Sequence, residues 1–322
     1  MSANSKKTLS EGYVPNPDQM KIWPKISGNT INGLGEKKFR RPSPIYWHPE
    51  ETIPHGPLQT WFYKHFLGSN EIKEERARRQ KVMDEPLPKK SERKINDSSI
   101  EWTRKIKNLA SKYGAEDVGI TKMNNDWVFE NKKVEGKWVI VIAVKHNYHT
   151  LSQAPKDPAA VEVLKQYTRA LQIVKNIASW ILDLGWNAWP HGGPMAGDIV
   201  MIPAAISAGL GELGKHGSII NKKLGSNFRL GLVLTDLPLL PDKKNEFGAD
   251  NFCKNCQLCT ESCPPNAISH EKKWVRGQKR WYVNFDSCLP FFNENKGCGI
   301  CIAVCPWSRP GIAENLLKKI NA

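Results

Sequence analysis

The sequence predicts an α/β domain followed by a small cysteine-rich, metal-binding domain, and three observations carry that reading. Two short runs, WVIVIAV (Trp138–Val144) and LGLVLT (Leu230–Thr235), are apolar almost throughout, as strands covered on both faces are. Between them, Asp157–Leu184 repeats apolar residues at three- and four-residue intervals through Val161, Leu164, Tyr167, Leu171, Val174, Ala178 and Ile181, the spacing of a long amphipathic helix. All eight cysteines fall between Cys253 and Cys305.

Residues 1–99 hold ten of the 22 prolines and long polar stretches, so they are expected to form an extended segment that wraps the rest of the chain. One short helix is expected near residues 70–83, and the aromatics Trp23, Tyr46, Trp47 and TWFYKHF (Thr60–Phe66) mark where the segment docks. The α/β domain takes residues 100–245. It opens on the helix SSIEWTRKIKNLASKYG, capped by Ser98 or Ser99 and ended at Gly114. The strand WVIVIAV follows, then the long helix, closed by Gly185. A helix of small residues (Ile202–Leu210) leads into the glycine-rich GLGELGKHG, then into LGLVLT and the turn DLPLLPD. Residues 246–322 form the cysteine domain and end in a short helix, IAENLLKKI.

A chain of 322 residues can bury one large core or two modest ones. No apolar run approaches the roughly 18 residues of a membrane span. MSANSKKTLSEGY has no apolar signal core, so a cytoplasmic protein is expected, and there a dense set of thiols binds metal rather than forming disulfides. With 47 Lys and Arg against 32 Asp and Glu the net charge is +15. That is either a solvated lysine-rich surface or one that steers an acidic partner or an anionic ligand. No nucleic-acid-binding motif accompanies the charge.

The cysteine spacing is the most specific signal. Cys253, Cys256, Cys259 and Cys263 form C-x2-C-x2-C-x3-C-P, the run of bacterial ferredoxins, in which the fourth cysteine ligates the other of two clusters. Cys298, Cys301 and Cys305-Pro306 repeat the run without its first member, which Cys288 supplies from upstream. Exchanging the fourth ligands yields two sets: Cys253, Cys256, Cys259 with Cys305, and Cys263, Cys288, Cys298 with Cys301. Two 4Fe–4S clusters use every thiol. Zinc in four-thiolate sites is the alternative, although zinc favours paired C-x2-C knuckles.

The stretch from Gly209 to Ile268, GLGELGKHGSIINKKLGSNFRLGLVLTDLPLLPDKKNEFGADNFCKNCQLCTESCPPNAI, resembles the corrinoid-dependent reductive dehalogenase family, as does RWYVNFDSCLPFFNENKGCGICIAVCPWSRP (Arg280–Pro310). GAEDVGI (Gly114–Ile120) and the Tyr167 helix ending in LGWNAWP echo it more faintly. Epoxyqueuosine reductase, a tRNA-modifying enzyme, is similar in the AGLG, GK and TDLPL segments. The resemblance implies a nitroreductase-like α/β core that holds base-off cobalamin, with a C-terminal ferredoxin-like domain carrying the two clusters. It implies reductive dehalogenation of a small halogenated organic substrate; because no export signal is read, a cytoplasmic catabolic role on a halogenated aromatic is expected. The family's proton-donating tyrosine matches Tyr167, and its neighbouring basic residue matches Lys215; His216, His191, Tyr148 and His149 are the alternative donors.

No D-x-H-x-x-G motif is present. The corrinoid contacts are therefore expected on the backbone of GGPMAGD and GLGELGKHG, at Gly192, Gly193, Gly209, Gly211, Gly214 and Gly217. The chain departs from exported members of the family in lacking a signal segment, and from others in lacking a fused flavin–ferredoxin reductase portion. A separate electron donor is thus expected, such as an acidic ferredoxin or flavodoxin. The competing readings are a reductase of a non-halogenated substrate, as in the tRNA enzyme, and a non-catalytic electron carrier. Nucleic acid is expected as a partner only if the first of these holds; the sequence leaves homodimer formation open.

Overall fold

The computed structural model describes residues 12–65, 68–193 and 197–320. Its centre is one four-stranded sheet. The strands β1 (Asp117–Lys122), β2 (Trp138–Lys145), β3 (Ala188–Gly192) and β4 (Phe228–Thr235) are ordered β1-β2-β4-β3, with every pairing antiparallel. Alternate residues of β2 divide between two cores. Ile140, Ile142 and Val144 pack with Val233 under the helices Ser99–Lys112 and Asp157–Asp183, through Trp102, Ile106, Val174, Ile177 and Ile181. Val139, Val141 and Ala143 pack with Leu232 and Leu234 against Ala204, Ala205 and Ala208 on the other side. Strands apolar on both faces are usual in parallel sheets. Here an antiparallel sheet has the same need, because helices cover both of its faces.

The helices form where the sequence placed them. Ser98 caps the first, its side chain accepting the Glu101 N–H. The long helix has Pro158 in its first turn and stops at Leu184, with Gly185 beyond it at φ 79°. Strands β1 and β3 are additions to the sequence reading. β3 contains Pro190, which argues against a strand, but β3 is a sheet edge, where a missing N–H can face outward without breaking the ladder.

The N-terminal segment is more helical than expected. Besides the helix Asn70–Asp84 it contains Pro17–Lys21, Gly28–Ile31 and Gly56–His65, so TWFYKHF is largely helical; its Phe66 lies outside the described residues. It docks through Asn70–Asp84 on the long helix Asp157–Asp183 and through its earlier part on the cysteine domain's helix Phe285–Glu294. Asn293 donates to Gln19 Oε1 at 2.7 Å and accepts from Tyr46 OH at 2.7 Å, while Asp286 accepts the Gly28 N–H at 2.8 Å. Trp47 and Phe62 meet Phe292 edge-on and stacked, respectively. Tyr46 and Leu58 of the N-terminal segment thereby share an apolar cluster with Leu289 of the cysteine domain.

Candidate active site

All eight cysteines are free thiols; Cys253, Cys259, Cys288 and Cys301 lie in the helices Ala249–Asn255, Leu258–Glu261, Phe285–Glu294 and Ile300–Ala303, and the other four in the segments that follow or join them. Two neighbourhoods result. Cys253 feels the charges of Cys305, Cys259 and Cys256; Cys288 feels those of Cys298 and Cys263. Cys301 responds to Cys298, Cys288 and Cys263, and also to Cys259, so the neighbourhoods adjoin. Burial pushes the thiols of Cys253 and Cys288 up to about 12, those of Cys259 and Cys298 up to about 11, and that of Cys301 well above its usual range. Thiols crowded this way stay protonated unless a strongly cationic centre takes them as thiolates. Hydrogen-bond donors already point at the sulfurs: Ala267 N–H at Cys263 Sγ (3.3 Å) and Ser226 Oγ at Cys305 Sγ (3.5 Å). The loop Lys296–Gly299 has positive φ at four consecutive residues, a conformation only Gly297 and Gly299 adopt without strain. It turns the N–H groups of Gly299 and Ile300 onto Cys298.

Among the described residues no three His, Cys, Asp or Glu side chains close around the space of one ion.

Beside the second neighbourhood lies a cavity of about 840 Å³. Cys263, Cys288, Cys298 and Cys301 line it, and the other four cysteines are not among its lining residues. Tyr167, Arg229, Arg79 and Arg76 line it too, with Trp47, Phe62 and Tyr63 of the N-terminal segment and Phe292 of the cysteine domain. A second cavity of about 540 Å³ shares Tyr167, Arg229, Trp47 and Cys288 and extends to Met201, Ile202 and Leu230.

The cations define the cavity's chemistry. The Arg229 guanidinium lies 4.9 Å from the Tyr167 ring centroid, and its buried Nε has no hydrogen-bond partner. Arg79 donates to Gly193 O at 3.0 Å and likewise leaves its Nε unpaired, while Arg76 sits 4.6 Å from the Tyr63 ring. Burial lowers the Arg79 pKa and raises that of Tyr63. Buried donors left open in an apolar surround favour an anionic group.

Tyr167 therefore stands in the cavity, but Lys215 does not stand beside it. Lys215 is buried on the other cysteine neighbourhood, its Nζ donating to Cys256 O (2.9 Å) and Gln257 Oε1 (3.0 Å). The cation facing Tyr167 is Arg229. Sequence reading missed it because a lone arginine near the start of an apolar strand reads as a strand end; that interruption of NFRLGLVLT is the signal it left. Arg79 left none, being one charge among many in EIKEERARRQ.

Of the six glycines, Gly217 lines the larger cavity and Gly193 the smaller. The other four line neither, because the fold itself takes up the space. A Cβ at Gly211 would run into the Ile220 carbonyl; one at Gly209 would come within 2.5 Å of Lys243 O. Those at Gly214 and Gly192 would meet His216 Cε1 at 2.6 Å and Leu171 Cδ1 at 2.9 Å. Pro194, Met195 and Ala196 of GGPMAGD lie outside the described residues.

The other donor candidates are differently engaged. His216 Nδ1 accepts the Ser218 N–H at 3.1 Å, so Nε2 carries the proton and gives it to Ser226 Oγ at 2.8 Å. His216 also lines the larger cavity, and burial lowers its pKa to about 4, so its ring is held neutral with the Nε2 proton engaged by Ser226. His191 sits in β3 and lines neither cavity, and Tyr148 and His149 line a separate depression.

Residues 252–308 match a family model described as a 4Fe-4S dicluster domain. A tetrachloroethene reductive dehalogenase of Desulfitobacterium hafniense is 34% identical over 212 residues, covering 61% of this chain and 37% of the relative. An epoxyqueuosine reductase of Vibrio cholerae is 36% identical over a shorter 134 residues, 39% of this chain and 34% of the relative. Among solved structures, the catabolic reductive dehalogenase NpRdhA superposes with a TM-score of 0.76 over 93% of this chain and 47% of its own, at 21% identity, which establishes the shared fold. The chain thus spans between a third and a half of the length of each of these proteins.

Proposed function

We propose that this chain, a homologue of the reductive dehalogenases with an epoxyqueuosine reductase as a further relative, replaces a halogen on a small organic molecule by hydrogen. One observation carries the proposal: a single cavity is lined both by Cys263, Cys288, Cys298 and Cys301 and by Tyr167, whose ring centroid lies 4.9 Å from the Arg229 guanidinium. Electron entry and proton entry then converge on one space. In balance, R–X takes up two electrons and a proton and leaves as R–H and halide.

The cysteines fit iron–sulfur centres by donor chemistry, since eight free, buried or half-buried thiols are grouped in fours with backbone N–H groups aimed at several of them. Cys263, Cys288, Cys298 and Cys301 would hold the inner centre, and Cys253, Cys256, Cys259 and Cys305 the outer; these centres supply one-electron carriage. The two adjoining cavities together exceed the roughly 1,000 Å³ at the upper end of ordinary ligand pockets, which suits a macrocycle with a substrate. Gly217 and Ser218 would let backbone approach a cobalamin, Met201, Ile202 and Leu230 would face its apolar surface, and the unpaired Nε atoms of Arg229 and Arg79 would meet its polar periphery or phosphate. Bound there, cobalamin supplies low-valent cobalt chemistry toward carbon–halogen bonds.

The chain's own residues do the rest. Tyr167 Oη gives the proton, and the Arg229 cation stabilises the phenolate left behind. Arg79 and Arg76 favour a departing halide. Trp47, Phe62 and Phe292 line the cavity and present aromatic surface to it, which supports a halogenated aromatic as the substrate. Electrons come from a separate carrier such as a ferredoxin or flavodoxin.

Anaerobic reconstitution with iron, sulfide and cobalamin tests this. About eight irons per chain, cluster signals and base-off Co(II) by EPR are expected, with halide release from a halophenol panel. Zinc in place of iron, or failure to retain any corrinoid, would overturn the reading. Corrinoid uptake without halide from any compound would transfer it to a non-halogenated substrate.

A further inference from the structure

The displaced Lys215 has surroundings of its own. It is 1% exposed, one of the largest fully buried side chains, and its three N–H groups have only neutral neighbours. Two go to Cys256 O and Gln257 Oε1, and the ammonium faces the Trp281 ring, 5.0 Å from its centroid. Among the described residues no carboxylate pairs with it. The acids nearby are committed elsewhere: Asp250 to Lys272 (2.6 Å) and to Trp281 Nε1 (2.7 Å), and Glu212 to the N–H groups of Phe247 (2.8 Å) and Ala249 (2.9 Å).

A buried ammonium without a counter-ion is costly, unless a permanent anion adjoins it. Lys215 is set among the outer cysteines. Its side chain holds the carbonyl of Cys256, its main-chain N–H is directed at Cys253, and its charge bears on Cys259. On the inner side, Lys296 is already neutralised by Asp157.

We propose that Lys215 sets the potential of the outer centre: its buried, unpaired ammonium stabilises the reduced state of a 4Fe–4S cluster held by Cys253, Cys256, Cys259 and Cys305. This rests on the cluster reading given above. A four-thiolate centre is a dianion when oxidised and a trianion when reduced, so a fixed cation a few ångströms away in a low-dielectric surround favours the added electron. The outer centre is thereby biased to accept electrons from the carrier. Lys215 acts through the cluster and touches no substrate; it is a positioning residue.

EPR-monitored redox titration of the reconstituted chain tests it, using Lys215→Gln, Lys215→Arg and Gln257→Glu. With iron content retained, Lys215→Gln is expected to shift the reduction equilibrium of one cluster at least tenfold toward the oxidised form, about 59 mV lower, and to leave the other unchanged. Lys215→Arg keeps the charge and is expected to keep the potential. Gln257→Glu sets a carboxylate against the ammonium and is expected to lower the same cluster's potential without altering Lys215. Unchanged potentials in both Lys215→Gln and Gln257→Glu overturn the proposal. So does loss of iron from both, which would make the lysine an assembly element. A wild-type chain without 4Fe–4S signals defeats the cluster reading and this inference together, whereas normal signals with unmoved potentials defeat this inference alone.

Discussion

Tyr167 and Lys215 show how a residue's role depends on what its side chain reaches. Both were matched to the same chemistry, yet only Tyr167 lines the cavity, and its cationic neighbour is Arg229, which enters from β4. Tyr167 Oη is the proposed proton source, and positioned acids contribute about 10²–10⁴ in rate. Tyr167→Phe is therefore expected to lower halide release by at least about 10²-fold with corrinoid uptake unaltered. Full turnover in this variant would remove the assignment. Tyr167 was readable only through the family resemblance, since its place on a regular helix stripe equally suits a core tyrosine. Arg229 was not, since nothing in local spacing says that β4 would carry it across from that helix.

At the scale of elements, β2 and the long helix are joined by a buried pair. His146, just after β2, places Nδ1 3.7 Å from Glu162 Oε1, too long for a hydrogen bond, and Glu162 also accepts the Asn147 N–H at 2.7 Å. Burial outweighs the carboxylate's attraction and lowers the His146 pKa to about 4. The folded chain thus keeps the ring neutral where the unfolded chain, with an imidazole near 6.5, takes up a proton. This contribution to stability is whole above about pH 6.5 and is lost as the pH falls toward 4, on the order of 3 kcal/mol in all. Urea midpoints of the holoprotein should fall across that window, and His146→Gln should flatten the fall. An unchanged slope in the variant would place the titration elsewhere. The elements themselves were legible where one period dominates, as in WVIVIAV and the long helix. β1 and β3 were not, because Gly119 and Pro190 interrupt their patterns for tertiary reasons: the Ala208 carbonyl would meet a Cβ at Gly119, and Pro190 sits on a sheet edge.

For the molecule as a whole, the proposed acidic carrier would meet an excess of 47 basic over 32 acidic residues, whose long-range field favours encounter. Reduction of the reconstituted chain by an acidic flavodoxin is expected to slow roughly tenfold or more as ionic strength rises from about 0.01 M to about 1 M, where the screening length shrinks from about 30 Å to about 3 Å. Stopped-flow rates that do not change with salt would show that the charge is only solvated surface. No helix among the described residues is long and apolar enough to cross a membrane. The N-terminal segment also acts at this scale, supplying Trp47, Phe62 and Tyr63 to a cavity whose other walls come from the sheet domain and the cysteines.

The amino-acid sequence alone specified the cysteine runs, the two fully buried strands and the long helix, because each is written in spacing between near neighbours. Which thiols share a neighbourhood with the cavity, which cation faces Tyr167, and where the Lys215 ammonium is buried came only from the folded chain. Those relations join residues dozens to hundreds of positions apart. Close packing of the sheet, the N-terminal segment and the cysteine domain brings them into range, and local periodicity does not encode that packing.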